Sequence, residues 1–262
     1  GLTTQPKLIG LTVFFAINIA VSSLVARRRG QEDKRGANEV FLTALFLTVV
    51  ASLIITAIFL YFADDIMHLT GSNHETHQPS VNYLRIIMGG MIFNVIAMVI
   101  NAAQRGSGNT RIAFFTNVTS SIVNIIFNYL LINGKLGFPA LGIEGAAIAT
   151  VLGTFVAMLM SIRSLYSPDS LIQIKYILKY KVKMQMKTVK MIFGLGSNMA
   201  VENLMMRIGF VATAVTAAKL GTNAFAIHNA GMNLLSLGFS FGDGMQVAAV
   251  ALAGRKSEAK RS

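Results

Sequence analysis

Seven long apolar runs decide what this chain can fold into. They cover roughly residues 8–26, 39–62, 83–104, 112–132, 141–162, 191–218 and 224–254. Each approaches or exceeds the ~20 residues that an α-helix needs to cross the hydrocarbon core of a bilayer. Within that core only helices and closed barrels satisfy the backbone's own hydrogen bonds. Barrel strands would run about 10 residues with strict alternation, and no such pattern is present. The expected fold class is all-α, a polytopic membrane protein with seven transmembrane helices. Charged residues make up only 13% of the chain, against about 25% in soluble domains.

The formal charge of +12 raises nucleic acid as a partner, but its distribution points to the lipid bilayer. All but five of the 23 Lys and Arg residues fall in alternate connections between the runs or in the tail after the last; the exceptions are Lys7, Arg85, Lys135, Arg207 and Lys219. That asymmetry follows the positive-inside rule and makes the basic side cytoplasmic. The first residues are then expected outside, the basic tail with Arg255, Lys256, Lys260 and Arg261 inside, and the protein in a cell membrane. The absence of cysteine excludes disulfides and thiolate metal sites. The spans hold no nucleophile or metal-ligand constellation, so an enzyme is not expected. The chain opens Gly1-Leu2-Thr3 and closes on a charged run, which suggests a piece of a longer protein.

The sixth run carries Glu202 near its centre. An ionised carboxylate is costly in hydrocarbon, so such a residue either faces a wet cavity and binds a cation or proton, or is neutralised by a neighbouring helix. Asn198 lies one turn earlier on the same face. Arg207 is five residues on, rotated by roughly 140°, and is better placed to meet Asn203. The seventh run repeats the theme, with Asn229, Asn233, Ser236, Ser240 and Asp243 at steps of 4, 3, 4 and 3. Glu202 lies 11 residues after Met191, and Asp243 lies 11 before Gly254. Both sit about 16 Å from the cytoplasmic ends of consecutive antiparallel helices. Glu202 and Asp243, with Asn198 and Gln246, are the candidate ion- and substrate-binding residues.

The fourth run has its own polar stripe, Asn117, Ser121, Asn124 and Asn128, at steps of 4, 3 and 4. Such a stripe either lines an aqueous pathway or hydrogen-bonds helices together. These four, with Asn229 and Asn233, are the candidate cavity-lining residues. Gly142, Gly145, Ala146, Ala147 and Ala149 in the fifth run permit close helix packing. The segment 63–82 holds Asp64, Asp65, His68, His74, Glu75 and His77. His74 and His77 are spaced to share a metal, yet no third ligand is placed, so a solvated loop and no metal site are expected. Arg105-Gly106-Ser107-Gly108-Asn109 lacks the P-loop pattern and reads as a tight turn between helices. The linker 166–190 mixes Ile174, Ile177 and Leu178 with Lys175, Lys179, Lys183 and Lys187, a composition suited to a helix on the inner membrane surface. It divides the chain into a first lobe, 1–165, and the start of a second, 191–262.

An offset of 228 residues aligns the ends of the first and last runs, pairing Gly10 with Gly238 and Asn18 with Gln246. Two like halves form one of the known transporter plans. The residues then reach a resemblance. Leu24-Val25-Ala26-Arg27-Arg28-Arg29-Gly30 closes the first run, Tyr83-Leu84-Arg85-Ile86 opens the third, and Arg105-Gly106-Ser107-Gly108-Asn109-Thr110 follows it. Asn124-Ile125-Ile126-Phe127-Asn128-Tyr129 then leads into Gly137-Phe138-Pro139-Ala140-Leu141-Gly142-Ile143-Glu144-Gly145. In this order the chain resembles the multidrug and toxic compound extrusion (MATE) transporters. The resemblance implies the second to eighth of twelve helices in two lobes around a central cavity, with the first helix of the first lobe missing. It implies antiport of small amphipathic organic cations against Na⁺ or H⁺, no other cofactor, and a monomer when full length. It also implies a coupling acid on the seventh helix, where Glu202 is the match and Ser197 replaces a common proline. Phe93, Met98, Met205 and Met206 either offer a forgiving surface for varied substrates or are ordinary packing, the favoured reading for any one of them. A lipid-linked oligosaccharide flippase of related architecture is the alternative.

Overall fold

The computed structural model describes residues 4–69 and 71–259, so Gly1-Leu2-Thr3, Lys260 and Arg261 lie outside the described residues. Every regular element among those residues is helical: α1 (Thr4–Gly30), α2 (Lys34–Tyr61), α3 (Ala63–Leu69), α4 (His77–Gly89), α5 (Met91–Gly106), α6 (Arg111–Ile132), α7 (Ile143–Ser164), α8 (Ile174–Lys179), α9 (Met186–Lys219) and α10 (Thr222–Ala259). The protein is an all-α polytopic membrane protein. Helices α1, α2, α6, α7 and α10 are long and apolar enough to cross a membrane, as is the bent pair α4–α5. Of the seven expected runs, the sixth falls short of that standard. Helix α9 has ample length at 34 residues, but Glu202, Asn203 and Arg207 interrupt its apolar sequence.

The hub is α1, which packs against α2, α5, α9 and α10. Its inward face, Ala20, Val21, Leu24 and Val25, meets Val40 and Phe41 of α2 and Val99 and Ile100 of α5 in one core cluster. A second cluster joins Leu11 and Phe14 to Met67 of α3, Leu84 and Met88 of α4, and Met91 and Val95 of α5. The turn into α2 is tight: Glu32 adopts φ 57, and Asp33 caps the new helix by accepting from Gly36 N–H at 2.9 Å. By contrast the apolar side chains of α9 and α10 are largely exposed, among them Leu204, Ile208, Leu234 and Phe241. Such surfaces suit lipid or a further layer of protein rather than water.

Three local readings change in the structure. The third apolar run begins at His77 and bends by 43° between α4 and α5. Gly89 and Gly90 supply the break, because paired glycines hold a helix weakly. A Cβ on Gly90 would also lie 2.5 Å from Val151 of α7. The segment 63–82 is not an open loop. In α3, Ala63 and Met67 stand one turn apart on the buried side, leaving Asp64, Asp65 and His68 outward. His77 stacks on His68 with ring centroids 4.0 Å apart and sits 3.2 Å from Asp64, so it is paired away from His74. The linker does not form one long surface helix. Its helix is confined to α8, and Ile172 is fully buried, with Ile174 and Ile177 packed on the core of α1, α2 and α5. Lys183 lies in the stretch between helices, and Lys187 already belongs to α9.

Helices α6 and α7 pack closely against each other. A Cβ on Gly145 would lie 2.7 Å from Leu131 O, and one on Gly153 the same distance from Ser120 O. Neither backbone carbonyl can rotate away, so Gly153→Ala should push the helices apart. A loss of about 1–3 kcal/mol is expected, read as a lower thermal midpoint of the detergent-purified protein.

Candidate functional site

Five helices enclose a cavity of about 400 Å³. Helix α1 contributes Thr12, Phe15, Asn18 and Ile19; α5 contributes Met98, Asn101 and Arg105; α6 contributes Asn117. The far wall is Met199, Glu202, Asn203, Met206 and Arg207 of α9, with Asp243, Gln246 and Val247 of α10. The two carboxylates singled out in the sequence therefore reach one cavity, together with Gln246 and Asn117. Asn203 and Arg207, one turn apart on α9, also share its wall.

The other candidates separate from it. Asn198, Asn229 and Asn233 are exposed and stand outside the lining. Ser121 is exposed as well. Asn124 turns toward α7, where its Nδ2 donates to Thr150 Oγ1 at 3.5 Å. Asn128 is half-buried, with its Oδ1 enclosed and unpartnered. The stripe on α6 thus serves the cavity at Asn117 and the helix contact at Asn124. Of the methionines and aromatics, Met98 and Met206 line the cavity, Met205 is exposed, and Phe93 packs edge-to-face on Phe155 at 5.1 Å.

The repeat noticed in the sequence becomes spatial here. Asn18 and Gln246, Ile19 and Val247, and Ser22 and Val250, each pair 228 residues apart, line a narrow cleft between α1 and α10. Phe15 and Asp243 keep the same offset in the larger cavity. A constant offset is what two parallel, equivalent helices produce when they face each other. Asp243 thus replaces an aromatic with an acid in an otherwise matched pair.

Arg105 is the residue that the sequence reading misplaced. It occupies the last turn of α5 rather than a loop, and it lines both the cleft and the cavity. Its position directly after the third apolar run was the available signal. The Nε atoms of Arg105 and Arg207 are both buried and unpartnered. Neither Glu202 nor Asp243 forms an ion pair among the described residues. The wall therefore offers two acids and two guanidiniums that do not neutralise each other by contact. Polar groups so placed are available to a ligand.

Asn101 fixes the near side of this cavity. Its Nδ2 donates to Thr116 Oγ1 of α6 at 3.0 Å, and its Oδ1 accepts from Ser161 Oγ of α7 at 3.0 Å. One amide ties three helices together. Asn101→Leu should strand the Ser161 hydroxyl, whereas Thr116 Oγ1 still donates to Ala113 O at 3.0 Å; a cost of about 1–3 kcal/mol is expected, measurable as a drop in thermal midpoint that Asn101→Gln partly avoids.

Comparison with known proteins agrees with this architecture. The MatE family model matches residues 2–130. The chain is 27% identical over 256 residues to the probable multidrug resistance protein NorM of Thermotoga maritima, covering 97% of this chain and 54% of that protein. A solved MATE structure in complex with MaD5 superposes with a TM-score of 0.86 at 26% identity, covering 98% of this chain and 57% of that one. A transporter of the MOP superfamily from Pyrococcus furiosus, described as having a binding pocket of reverse polarity, matches with a TM-score of 0.81 at 25% identity over 99% of this chain and 55% of that one. The chain spans about half the length of the curated relatives it matches. Sequence and fold together support a MATE family membrane transporter, with residues 2–130 matching the family model.

Proposed function

We propose that this chain carries the ion-coupling part of an exporter of amphipathic organic cations, driven by entry of Na⁺ or H⁺. The observation that carries the reading is the arrival of Glu202 and Asp243, from consecutive helices, in one cavity with Asn117 and Gln246. Carboxylates without an ion-pair partner favour any cation that reaches them. An incoming Na⁺ or proton and a cationic substrate would compete for the same oxygens, so binding one releases the other. Alternating access then needs only that the two sides of the membrane favour different occupants. In this reading 1–165 and 191–262 belong to two lobes that rock about the cavity, joined by the linker 166–190. The basic ends face the cytoplasm, the first residues face outside, and the transporter works as a monomer in the cell membrane with no nucleic-acid partner.

Arg105 and Arg207 support a second reading. Two guanidiniums in the same wall suit an anionic headgroup, as a lipid-linked oligosaccharide flippase would need. One experiment separates the two. The transporter bearing this chain is reconstituted in proteoliposomes, and a fluorescent organic cation is followed under imposed Na⁺ or pH gradients. Export that accelerates with one gradient supports the antiporter and identifies its ion. No cation movement under either gradient, with transfer of an anionic lipid between leaflets, would replace it by the flippase.

A further inference from the structure

A second cavity, of about 660 Å³, lies where α1, α5 and α7 end and α2 and α6 begin. Three cations among the described residues reach its wall: Arg29 from the last turn of α1, Lys34 from the start of α2 and Arg111 from the start of α6. One carboxylate, Asp169 after α7, opposes them there. We propose that this cavity receives a phosphate-bearing anion, either the headgroup of an acidic phospholipid or free phosphate.

The residues around it are held in place. Gln104 is fully buried and anchors the floor, donating through Nε2 to Ser170 Oγ at 3.3 Å and accepting through its backbone oxygen from Ser107 Oγ at 2.8 Å. Gly108 adopts φ +95, and a Cβ there would overlap the Arg29 guanidinium. Glycine therefore serves twice, allowing the turn and letting Arg29 lie across it. Lys34 Nζ donates to Gln173 Oε1 at 3.2 Å and sits 4.9 Å above the Tyr176 ring. Those contacts aim the ammonium and leave it further N–H donors, since lysine has three. Two guanidiniums and an ammonium around a concave wall match the oxygens of a phosphate.

Position supplies the rest of the argument. The helices that bound this cavity are membrane-spanning in length and composition, and the cavity sits at their ends. That is the level of phospholipid headgroups, where basic pockets between helices attract anionic lipids. It is separate from the central site. Gln104 faces this cavity while its neighbour Arg105 faces the other, so an anion bound here would rest against the last turn of α5.

The test uses the detergent-purified transporter carrying this chain. Its thermal midpoint is titrated with short-chain phosphatidylglycerol, short-chain phosphatidylcholine and inorganic phosphate. Saturable stabilisation by phosphatidylglycerol but not phosphatidylcholine supports a lipid headgroup; saturable stabilisation by inorganic phosphate alone supports the free anion. In either case Arg29→Gln and Arg111→Gln should each weaken the response about fivefold, and Asp169→Asn should strengthen it. Arg111 and Asp169 are both exposed, so these two variants keep the fold even if Arg29→Gln disturbs it. Lys135→Gln, in the connection between α6 and α7, serves as the control and should change nothing. The proposal fails if neither anion saturates, if phosphatidylcholine acts equally, or if Arg111→Gln and Asp169→Asn behave as the control does.

Discussion

Glu202→Gln and Asp243→Asn should each slow gradient-driven export of an organic cation by about tenfold or more, because on the proposed reading each removes a charged contact to the transported ion. Neither variant should unfold the protein. Both side chains are exposed to the cavity and form no ion pair among the described residues, so the fold does not depend on their charge. That separation makes the result informative. Transport lost at unchanged thermal midpoint places the defect in ion exchange; transport retained in both variants would leave the two acids without a role. The paired amides are the right substitutions, since they keep volume and hydrogen-bonding capacity while removing the negative charge. Asp243→Asn adds a further distinction. Its equivalent on α1 is Phe15, so the two halves of the repeat differ in charge at this level, and the variant removes that difference.

The largest structural effect is expected at Gly106. A Cβ there would lie 2.6 Å from Ser22 O and 2.9 Å from Val25 Cβ, and both contacts belong to α1, the hub of the bundle. A backbone carbonyl cannot move aside as a flexible side chain can. Gly106→Val should therefore separate α1 from α5 and cost about 3 kcal/mol, the upper end of ordinary overpacking. The loss should appear as reduced yield of folded protein and a thermal midpoint several degrees lower. Because Arg105 precedes this glycine and lines the cavity, any folded fraction should also bind substrate poorly. A midpoint equal to that of the unsubstituted protein would mean that α1 and α5 do not approach as closely as described.

Much of the fold was legible because a bilayer allows so few solutions. Apolar length alone located most of the long helices, and polar connections, basic in alternation, separated them. What hydropathy did not resolve was interruption within a run. Gly89 and Gly90 sit within apolar sequence, so hydropathy runs across the bend between α4 and α5 and only the glycine pair marks it. The packed linker was hidden for a similar reason. Lysines every four residues suggested a surface helix, whereas Ile172, Ile174 and Ile177 found a core to join.

The site was legible in part. Helical periodicity says which residues share a face, but not which neighbour that face meets along its length. The stripe on α6 shows the difference: Asn117 meets the cavity, while Asn124 lies where Gly153 brings α7 close. On α10 the lining begins at Asp243, and Asn229 and Asn233, two turns or more before it, stand outside. The repeat was the more reliable guide, because it anticipated that Asn18 and Gln246 occupy equivalent places. Arg105 escaped because it ends an apolar run, where a cation is ordinarily interfacial.

The most direct measurement is equilibrium binding of a radiolabelled lipophilic cation to the purified transporter, titrated with Na⁺ at fixed pH and with H⁺ at fixed Na⁺. The account predicts that one of these ions displaces the bound cation competitively, and that Glu202→Gln or Asp243→Asn weakens the displacement. Cation binding indifferent to both ions, or displacement unchanged in both variants, would contradict a shared carboxylate site.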